Sequence, residues 1–386
     1  MAPSPLTSAN RRELEVNLRK LWNKGANVLV GWRVDAGKMH VLALPGHAVP
    51  ALGKAYPDFL ELNRHIRDRA RFDALLKAGC KTASFALQFE PDRDGPTVDT
   101  VNDIVRYYSV TRFDARAVAL FDIVSFSVHS PFEQISQISI LSFYIRQAAE
   151  RCRGLGMTVD ISMTTTGDGF YVWNRHEGLT ADMAFFCAIM LALGYVYSAR
   201  KLADREMMSI PRLRCAIHFG SYYEYYQTGG DGAEASGYIV GDVTINLARL
   251  ISKARTSQFL IGNHVRRLGE RDRDLADSLG VTEIDTPMLL ALVQGELKRL
   301  EGISIPGGTI TAVRVFFTGP RISEDSFTIR NYYIVDKHGL RHACYNAKLD
   351  IETATDTRVS FGLLDKDLGN FDALSDPGED IIVRIQ

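Results

Sequence analysis

The sequence has almost no excess charge of either sign. Its 386 residues include 45 lysines and arginines against 46 aspartates and glutamates, which leaves a formal net charge of −1. A protein that binds nucleic acid mainly by neutralising phosphates needs a basic excess, so this composition argues against that class. We therefore expect no direct nucleic-acid partner.

Cysteines are few and lack any metal-binding or redox spacing. The five are Cys80, Cys152, Cys187, Cys215 and Cys344. An odd, scattered set does not indicate a disulfide framework, and the first residues lack the apolar run of a secretory signal. We expect a cytoplasmic protein.

Only one apolar run is long enough to raise the question of a membrane. Residues 183–199 contain no charged side chain, and Asp182 and Arg200 bound them closely. A run of 17 residues is at the lower limit for crossing a bilayer. We interpret it as a buried core helix and expect no membrane partner; a membrane span is the alternative.

The order of predicted elements divides the chain into three regions. Residues 1–111 are predicted as an N-terminal α/β extension and residues 321–386 as a small β-rich C-terminal domain. Between them, residues 112–320 have the order β-α-β-β-α-β-α-β, which is typical of a ferredoxin-like, palm-type α+β domain. The charged stretch 264–300 is predicted to be helical.

Two aspartates stand where strands of this central region end or turn. Asp122 ends an apolar strand, and Asp168 lies at the tip of a hairpin in the segment TGDG. Neighbouring strands would bring the two carboxylates together, and Mg²⁺ or Mn²⁺ takes one or two carboxylates and completes its shell with substrate phosphates. The alternative is that Asp122 caps a helix and Asp168 is an ordinary turn residue.

Two further segments have residues suited to a nucleotide. Residues 124–131 lead into a helix, where backbone N–H groups are able to bind polyphosphate. On the helix that begins near Gly241, Asn246 and Arg249 are three residues apart and share a face. They suit contacts to a sugar and to a charged phosphoryl group, or are simply exposed residues of an ordinary helix.

These motifs together resemble the catalytic domain of class III nucleotidyl cyclases. The matching segments are LFDIVSFS, TGDGFYVW, RCAIHFG, GDVTINLARLISKA and FLIG, at 120–127, 166–173, 214–220, 241–254 and 259–262. Their order and spacing follow the family, and the resemblance covers about residues 112–320. It implies a head-to-tail homodimer with its active sites at the interface.

The resemblance also implies roles for individual residues. Asp122 and Asp168 would bind two divalent ions, Mn²⁺ or Mg²⁺, with help from the Ile123 carbonyl, and Arg249 of the other subunit would act in the transition state. The ribose-orienting asparagine of the family lies four residues before that arginine, where this chain has Ile245, and we expect Asn246 to take its role. The nucleotide-binding residues implied are Phe121, Ser125, Phe126, Ser127, Thr164 and Tyr238.

The positions that read the base depart from the purine cyclases. Where adenylate cyclases have a lysine and an aspartate, this chain has Thr164 and Tyr238. A bulky phenol would narrow the pocket, which favours a pyrimidine. The chain then resembles the pyrimidine cyclases of the bacterial Pycsar anti-phage system, which implies conversion of UTP to cyclic UMP and a sensor-like C-terminal domain of the AGS-C type at 321–386. The alternatives are a cytidylate cyclase, a purine cyclase and an inactive nucleotide-sensing module.

Overall fold

The protein has a mixed α+β fold, as predicted. The structure, a computed structural model, describes residues 6–60, 64–89, 95–203, 210–227, 236–323 and 326–384. The chain forms two compact units, of which the first comprises 1–114 and 222–240 and the second comprises 115–221 and 241–386.

The helices of the described residues are α1 (Ser8–Trp22), α2 (Val49–Ala55), α3 (Arg69–Lys77), α4 (Pro96–Arg106), α5 (Pro131–Gly154), α6 (Leu179–Leu202), α7 (Asp242–Lys253), α8 (Arg273–Leu279) and α9 (Thr286–Leu297). The strands up to residue 262 are β1 (Asn27–Asp35), β2 (Lys38–Pro45), β3 (Lys81–Ala86), β4 (Val110–Ile123), β5 (Ile161–Thr165), β6 (Gly169–Asn174), β7 (Leu213–Gln227), β8 (Ser236–Val240) and β9 (Phe259–Gly262). The later strands are β10 (Val265–Arg267), β11 (Glu283–Asp285), β12 (Ser304–Ile305), β13 (Gly308–Phe317), β14 (Arg321–Ser323), β15 (Ser326–Ile329), β16 (Asn331–Val335), β17 (Arg341–Thr353), β18 (Arg358–Phe361), β19 (Leu374–Ser375) and β20 (Ile381–Arg384).

The first unit contains the antiparallel sheet β1-β2-β3. Alternate residues of β2 enter two different apolar cores, since successive side chains of a strand point to opposite faces. Val41 packs in one core with residues of α1 and α4, whereas Leu42 packs in the other with residues of α2 and α3. Helices and strands are thus both present, as predicted for the N-terminal extension, and its extent as a domain stays a prediction.

The second unit is built on a larger sheet with the strand order β12-β13-β17-β9-β7-β4-β6-β5. Within it, β7-β4-β6-β5 is the arrangement of a ferredoxin-like palm, in which α5 connects β4 to β5 and α6 connects β6 to β7. The predicted palm-type core is therefore confirmed. The ends of β4 and β6 meet at one edge, which matters for the site below.

After residue 320, strands β16 to β19 continue this same sheet, whereas β14, β15 and β20 form a separate three-stranded sheet. Strand β17 pairs antiparallel with β13 on one side and with β9 on the other. The boundary predicted at residue 320 thus falls inside one sheet, because the hydrogen-bonding edges of β9 and β13 are completed by a later strand. A separate sensor role for residues 321–386 stays a prediction.

The expectation of a helical stretch at 264–300 was wrong in part. This stretch contains the short hairpin partners β10 and β11 besides α8 and α9. Helix α8 ends at Gly280, which has a left-handed backbone, and α9 begins anew with Asp285 as its N-cap and a proline in its first turn. The glycine and the proline interrupt the stretch that charge and periodicity alone predicted to be continuously helical.

Helix α6 is the apolar run that raised the membrane question. It is long and apolar enough to cross a bilayer by length and composition, but 94% of its most apolar window is buried inside the protein. Its Phe185, Leu191 and Val196 are fully buried in the core of the second unit. A helix that is apolar on all sides and surrounded by protein is a core helix, as expected.

Candidate active site

Asp122 and Asp168 lie next to each other at the edge where β4 ends and β6 begins. Asp122 pairs with Gly169 in the β4–β6 register, and the Ile123 N–H donates to the Asp168 carbonyl at 2.8 Å. Gly169 permits this approach, because a Cβ there would lie 1.9 Å from the Phe121 carbonyl oxygen. The sequence prediction that the two aspartates converge agrees with this geometry.

An arginine that sequence reasoning missed contacts Asp122. Arg214 on β7 donates from Nε to Asp122 Oδ2 at 2.7 Å, and a terminal nitrogen of its guanidinium lies 2.5 Å from the same oxygen. The Arg214 guanidinium also donates to the Ala254 carbonyl at 3.3 Å. The available signal was a charged residue at the start of the apolar strand RCAIHFG, which needs a partner when that strand is central in a sheet.

The surroundings of Asp122 raise the pKa of its carboxyl group, so they disfavour its negative charge. Asp122 is 8% exposed, and burial raises the pKa of its carboxyl group above the ordinary value. Arg214 lowers that pKa and the neighbouring Asp168 raises it again, with a net result still above the ordinary value. A further cation at this edge would relieve the repulsion between the two carboxylates.

The donor set fits a hard divalent cation. In the ranges that the structure describes, no three histidine, cysteine, aspartate or glutamate side chains come together as a metal cluster. Mg²⁺ and Mn²⁺ do not need such a cluster, since one or two carboxylates suffice when phosphate oxygens and water complete the shell. Asp122, Asp168 and the backbone carbonyl of Ile123 are ligands of this kind.

The predicted phosphate-binding segment is a tight turn followed by a capped helix. Ser125 has a left-handed backbone, with φ of 58°, and begins a short 3₁₀ turn from Phe126 to Val128. Ser130 then caps α5 in a capping box with Glu133, whose carboxylate accepts the Ser130 N–H at 2.7 Å. The first turn of α5 is thus capped by its own chain.

The side chains of this segment differ in what they offer a ligand. Ser125 and Ser127 are exposed, and Phe126 packs against the core of the second unit. Phe121 is fully buried in the core of the second unit. The nucleotide-binding roles of these residues stay predictions.

Asn246 and Arg249 belong to a second polar cluster, formed with the C-terminal segment. His342 Nδ1 on β17 lies 2.7 Å from Asn246 Oδ1, and Asn246 Nδ2 lies 3.2 Å from Nε2 of His218 on β7. Arg249 Nε lies 3.5 Å from Oδ2 of Asp336, in the turn between β16 and β17. Sequence reasoning found Asn246 and Arg249 but neither Asp336 nor His342.

Asn246 keeps hydrogen-bonding capacity despite these contacts. An amide has two lone pairs on oxygen and two N–H donors, so one of each is still available. The alternative ribose-orienting position, Ile245, is 54% exposed and has an apolar side chain. Within the described residues, no hydrogen bond or ion pair joins Asp122 or Asp168 to Arg249.

The two residues predicted to read the base lie on separate strands. Thr164 on β5 is half-buried and faces Tyr171 of β6, whose hydroxyl donates to the Thr244 carbonyl at 3.0 Å. Tyr238 on β8 faces Tyr225 of β7, and the two rings stack with their centroids 5.6 Å apart. Their contacts to a base stay predictions.

Comparisons with known proteins find structural likeness only. No protein-family model matches the chain, and no curated protein matches it. Among solved structures, the adenylyl cyclase CyaB from P. aeruginosa is similar at 11% identity and a TM-score of 0.34, over 64% of this chain and 99% of that one.

A second similar structure is the guanylate cyclase domain of RhGC from Catenaria anguillulae in complex with GTP. Its identity is 14% and its TM-score 0.31, over 41% of this chain and 88% of that one. A third is the dimeric guanylyl cyclase domain of the RhoGC fusion protein from Blastocladiella emersonii, at 12% identity and a TM-score of 0.34, over 61% and 97%. At these sequence identities and TM-scores, the chain is similar to these structures, and no function follows from the similarity. The proposed function depends on the geometry of the site.

Proposed function

We propose that this protein is a metal-dependent nucleotidyl cyclase that converts UTP to 3′,5′-cyclic UMP and pyrophosphate. The observation that carries the proposal is the pair Asp122 and Asp168, two aspartates brought next to each other near the end of β4 and just before β6, with the Arg214 guanidinium on Asp122. Paired carboxylates at a strand edge suit phosphoryl transfer, in which positioning and charge neutralisation do most of the catalysis.

The reaction needs few groups from the protein. The ribose 3′ oxygen attacks the α-phosphorus, the bond to the β-phosphate oxygen breaks, pyrophosphate leaves, and the hydroxyl proton passes to water. Two bound divalent ions would supply Lewis-acid stabilisation of the attacking and leaving oxygens. Asp122 and Asp168 would bind them, Asn246 would orient the ribose through its remaining N–H and lone pair, and Arg249 would stabilise charge on the transferring phosphorus.

A second copy of the chain would complete each site. Arg249 makes no direct contact with the acid pair of its own subunit in the described residues, in line with supply from a partner. The second unit also exposes large apolar side chains just before α5 and along α5 as far as its middle, namely Val128 at 77%, Phe132 at 79%, Ile135 at 64% and Phe143 at 59%. Several large apolar side chains exposed on and beside one helix are typical of a protein interface, and we assign them to a homodimer.

The pyrimidine preference depends on Thr164 and Tyr238. Neither side chain offers the charge pattern that reads a purine edge, and an aromatic phenol suits stacking on a smaller base. Production of a second messenger in anti-phage defence, and a sensor role for 321–386, depend on the family resemblance alone. CTP is the nearest alternative substrate, followed by a purine nucleotide.

The substrate test offers the purified full chain each of the four nucleoside triphosphates with Mn²⁺ and identifies the product by mass spectrometry. We expect cyclic UMP and pyrophosphate from UTP. A cyclic purine as main product would contradict the pyrimidine assignment, and no product from any nucleotide would contradict catalysis. For the variants Asp122→Ala and Asp168→Ala, Asp160→Ala is the matched control. Asp160 is a half-exposed acid of the same unit, paired at its surface with Arg153 and Arg175.

The shared site is tested by mixing two inactive variants, Asp122→Ala and Arg249→Ala. A heterodimer contains one site with both defects and one with neither. Equal mixing should therefore restore about a quarter of the wild-type activity, since about half the dimers are mixed and each has one intact site. No recovery in a mixture shown to contain heterodimers would contradict an interfacial site.

A further inference from the structure

We propose that Asp336, in the turn between β16 and β17, is a positioning residue for Arg249, so that the C-terminal segment takes part in catalysis. The inference depends on the proposed cyclase function and on Arg249 acting in it. It rests on the cluster that joins α7 to the β16–β17 turn: Asp336, His342, Asn246 and Arg249.

The two carboxylate oxygens of Asp336 have separate tasks. Oδ1 accepts the backbone N–H groups of His338 and Leu340 at 2.8 and 3.0 Å, which fixes the turn. Oδ2 faces Arg249 Nε at 3.5 Å and His342 Nε2 at 3.4 Å. The Asp336 side chain is 3% exposed, so solvent screens these contacts little.

Contact through Nε favours positioning over inhibition. A carboxylate that disabled the arginine would bind the terminal nitrogens, which form the fork that recognises phosphate. Here Asp336 faces Nε at ion-pair distance without a hydrogen bond, and in the described part of the chain neither terminal nitrogen of Arg249 has a hydrogen bond or an ion pair. The Arg249 side chain is 34% exposed, so its fork is open to a ligand while its stem is restrained.

The same cluster sets the orientation of Asn246. Burial, and then the nearby His264, lower the pKa of His218 to about 4, so its ring is neutral at physiological pH and accepts from Asn246 Nδ2 at Nε2. His342 donates from Nδ1 to Asn246 Oδ1 on the other side. Since His342 at the start of β17 also faces Asp336, the turn and the strand that follows it contact both predicted functional residues of α7.

Asp336→Asn separates the two oxygens of Asp336. The amide oxygen of asparagine is able to accept the two backbone N–H groups, so the turn is retained, whereas the negative charge that faces Arg249 is lost. Asp367→Asn is the matched control, since Asp367 is an exposed acid of the same segment. Thermal unfolding of both variants checks that the fold is retained.

We expect Asp336→Asn to lower kcat about ten- to a hundredfold, as for a displaced catalytic group, with KM for UTP changed less than about twofold. The control should match wild type. Unchanged or raised kcat in Asp336→Asn would overturn the proposal, and raised kcat would identify Asp336 as a brake on Arg249.

Mixing distinguishes positioning from a general structural defect. If Asp336 acts through Arg249 of its own subunit, Asp336→Asn should complement Asp122→Ala as well as Arg249→Ala does, and should not complement Arg249→Ala. Failure to complement Asp122→Ala, when the Arg249→Ala mixture succeeds, would contradict the proposal. If wild type makes no product, or the Arg249→Ala mixture itself fails, the proposed function is what has failed.

Discussion

Two buried carboxylates of the second unit each face an arginine, and their surroundings act on them in opposite ways. Asp122 faces Arg214 with Asp168 close by, and its pKa is raised, chiefly by burial. At Asp336, burial also raises the pKa, but the N–H groups of His338 and Leu340 together with His342 and Arg249 outweigh it, so the net pKa is lowered.

The difference separates an anionic site that needs a cation from one that is already neutralised. Asp122 has one positive partner and one negative neighbour, so it gains from an added metal ion. Asp336 has two backbone donors on Oδ1 and ion-pair contacts on Oδ2, so it is suited to restraining its neighbours. Two acids beside two arginines therefore point to different tasks, and the following variants test that contrast.

The largest effect is expected at the acid pair. Asp122→Ala or Asp168→Ala should each lower kcat by about a thousandfold or more, because a metal ligand is lost at the point where charge develops. Product formation from UTP with Mn²⁺ measures this, with Asp160→Ala as the control. Substantial activity in either variant would contradict the metal assignment. Asp122 would then, like Asp336, be an acid that binds no metal.

The two arginines should differ next. Arg249→Lys should lower kcat about a hundredfold, because a lysine lacks the planar fork that suits a phosphoryl group. Arg214→Lys keeps a cation beside Asp122 and should lower kcat less than about tenfold. Steady-state kinetics on both variants measure kcat. Equal losses of kcat would contradict the different roles assigned to Arg249 and Arg214.

Metal binding is expected to depend on one carboxylate and not on the other. Saturating Mn²⁺ without nucleotide should raise the Tm of wild type and of Asp336→Asn by about 2–5 °C, since a ligand that binds the folded state stabilises it. The shift should vanish in Asp122→Asn. A shift that persists there would show that the ion binds elsewhere.

The smallest effects are expected on thermal stability in the presence of a chelator. There, Asp122→Asn and Asp336→Asn should change Tm in opposite directions. A raised folded-state pKa means that stability is lost as pH rises from about 3.8 through the folded value, so Asp122→Asn should raise Tm at pH 7 by about 1–3 °C. The gain should disappear below about pH 4.

For Asp336 the lowered pKa gives stability that is present above about pH 3.8 and lost as pH falls through the folded value. Asp336→Asn should therefore lower Tm at pH 7 by about 1–3 °C and match wild type in strong acid. Melting curves across pH measure both variants, and shifts of the same sign would end the contrast.

The elements of the palm core were predictable because their patterns are local. A pattern within a short stretch of sequence predicts each of three elements: the apolar strand that ends near Asp122, the hairpin around Gly167 and the apolar helix α6. The convergence of Asp122 and Asp168 followed from strand order alone, since the end of one strand lies beside the beginning of an antiparallel neighbour.

The contacts that tune these residues were not predictable in the same way. Arg214 is 92 residues from Asp122 along the chain, and His342 is 96 residues from Asn246. Nothing in the local pattern of 331–345 shows that this hairpin pairs with β9, because strand partners depend on the assembled sheet. The domain boundary at residue 320 was placed where the family resemblance ends, and it stays a prediction.

The place of β17 has a consequence for how the chain is made. β9 and β13 cannot be bridged until residues 341–353 have been synthesised, so most of the polypeptide waits with two open strand edges. A fragment cut at residue 320 would keep those edges permanently and tend to aggregate. Synthesis of residues 341–353 is thus a condition for joining β9 and β13 in one sheet.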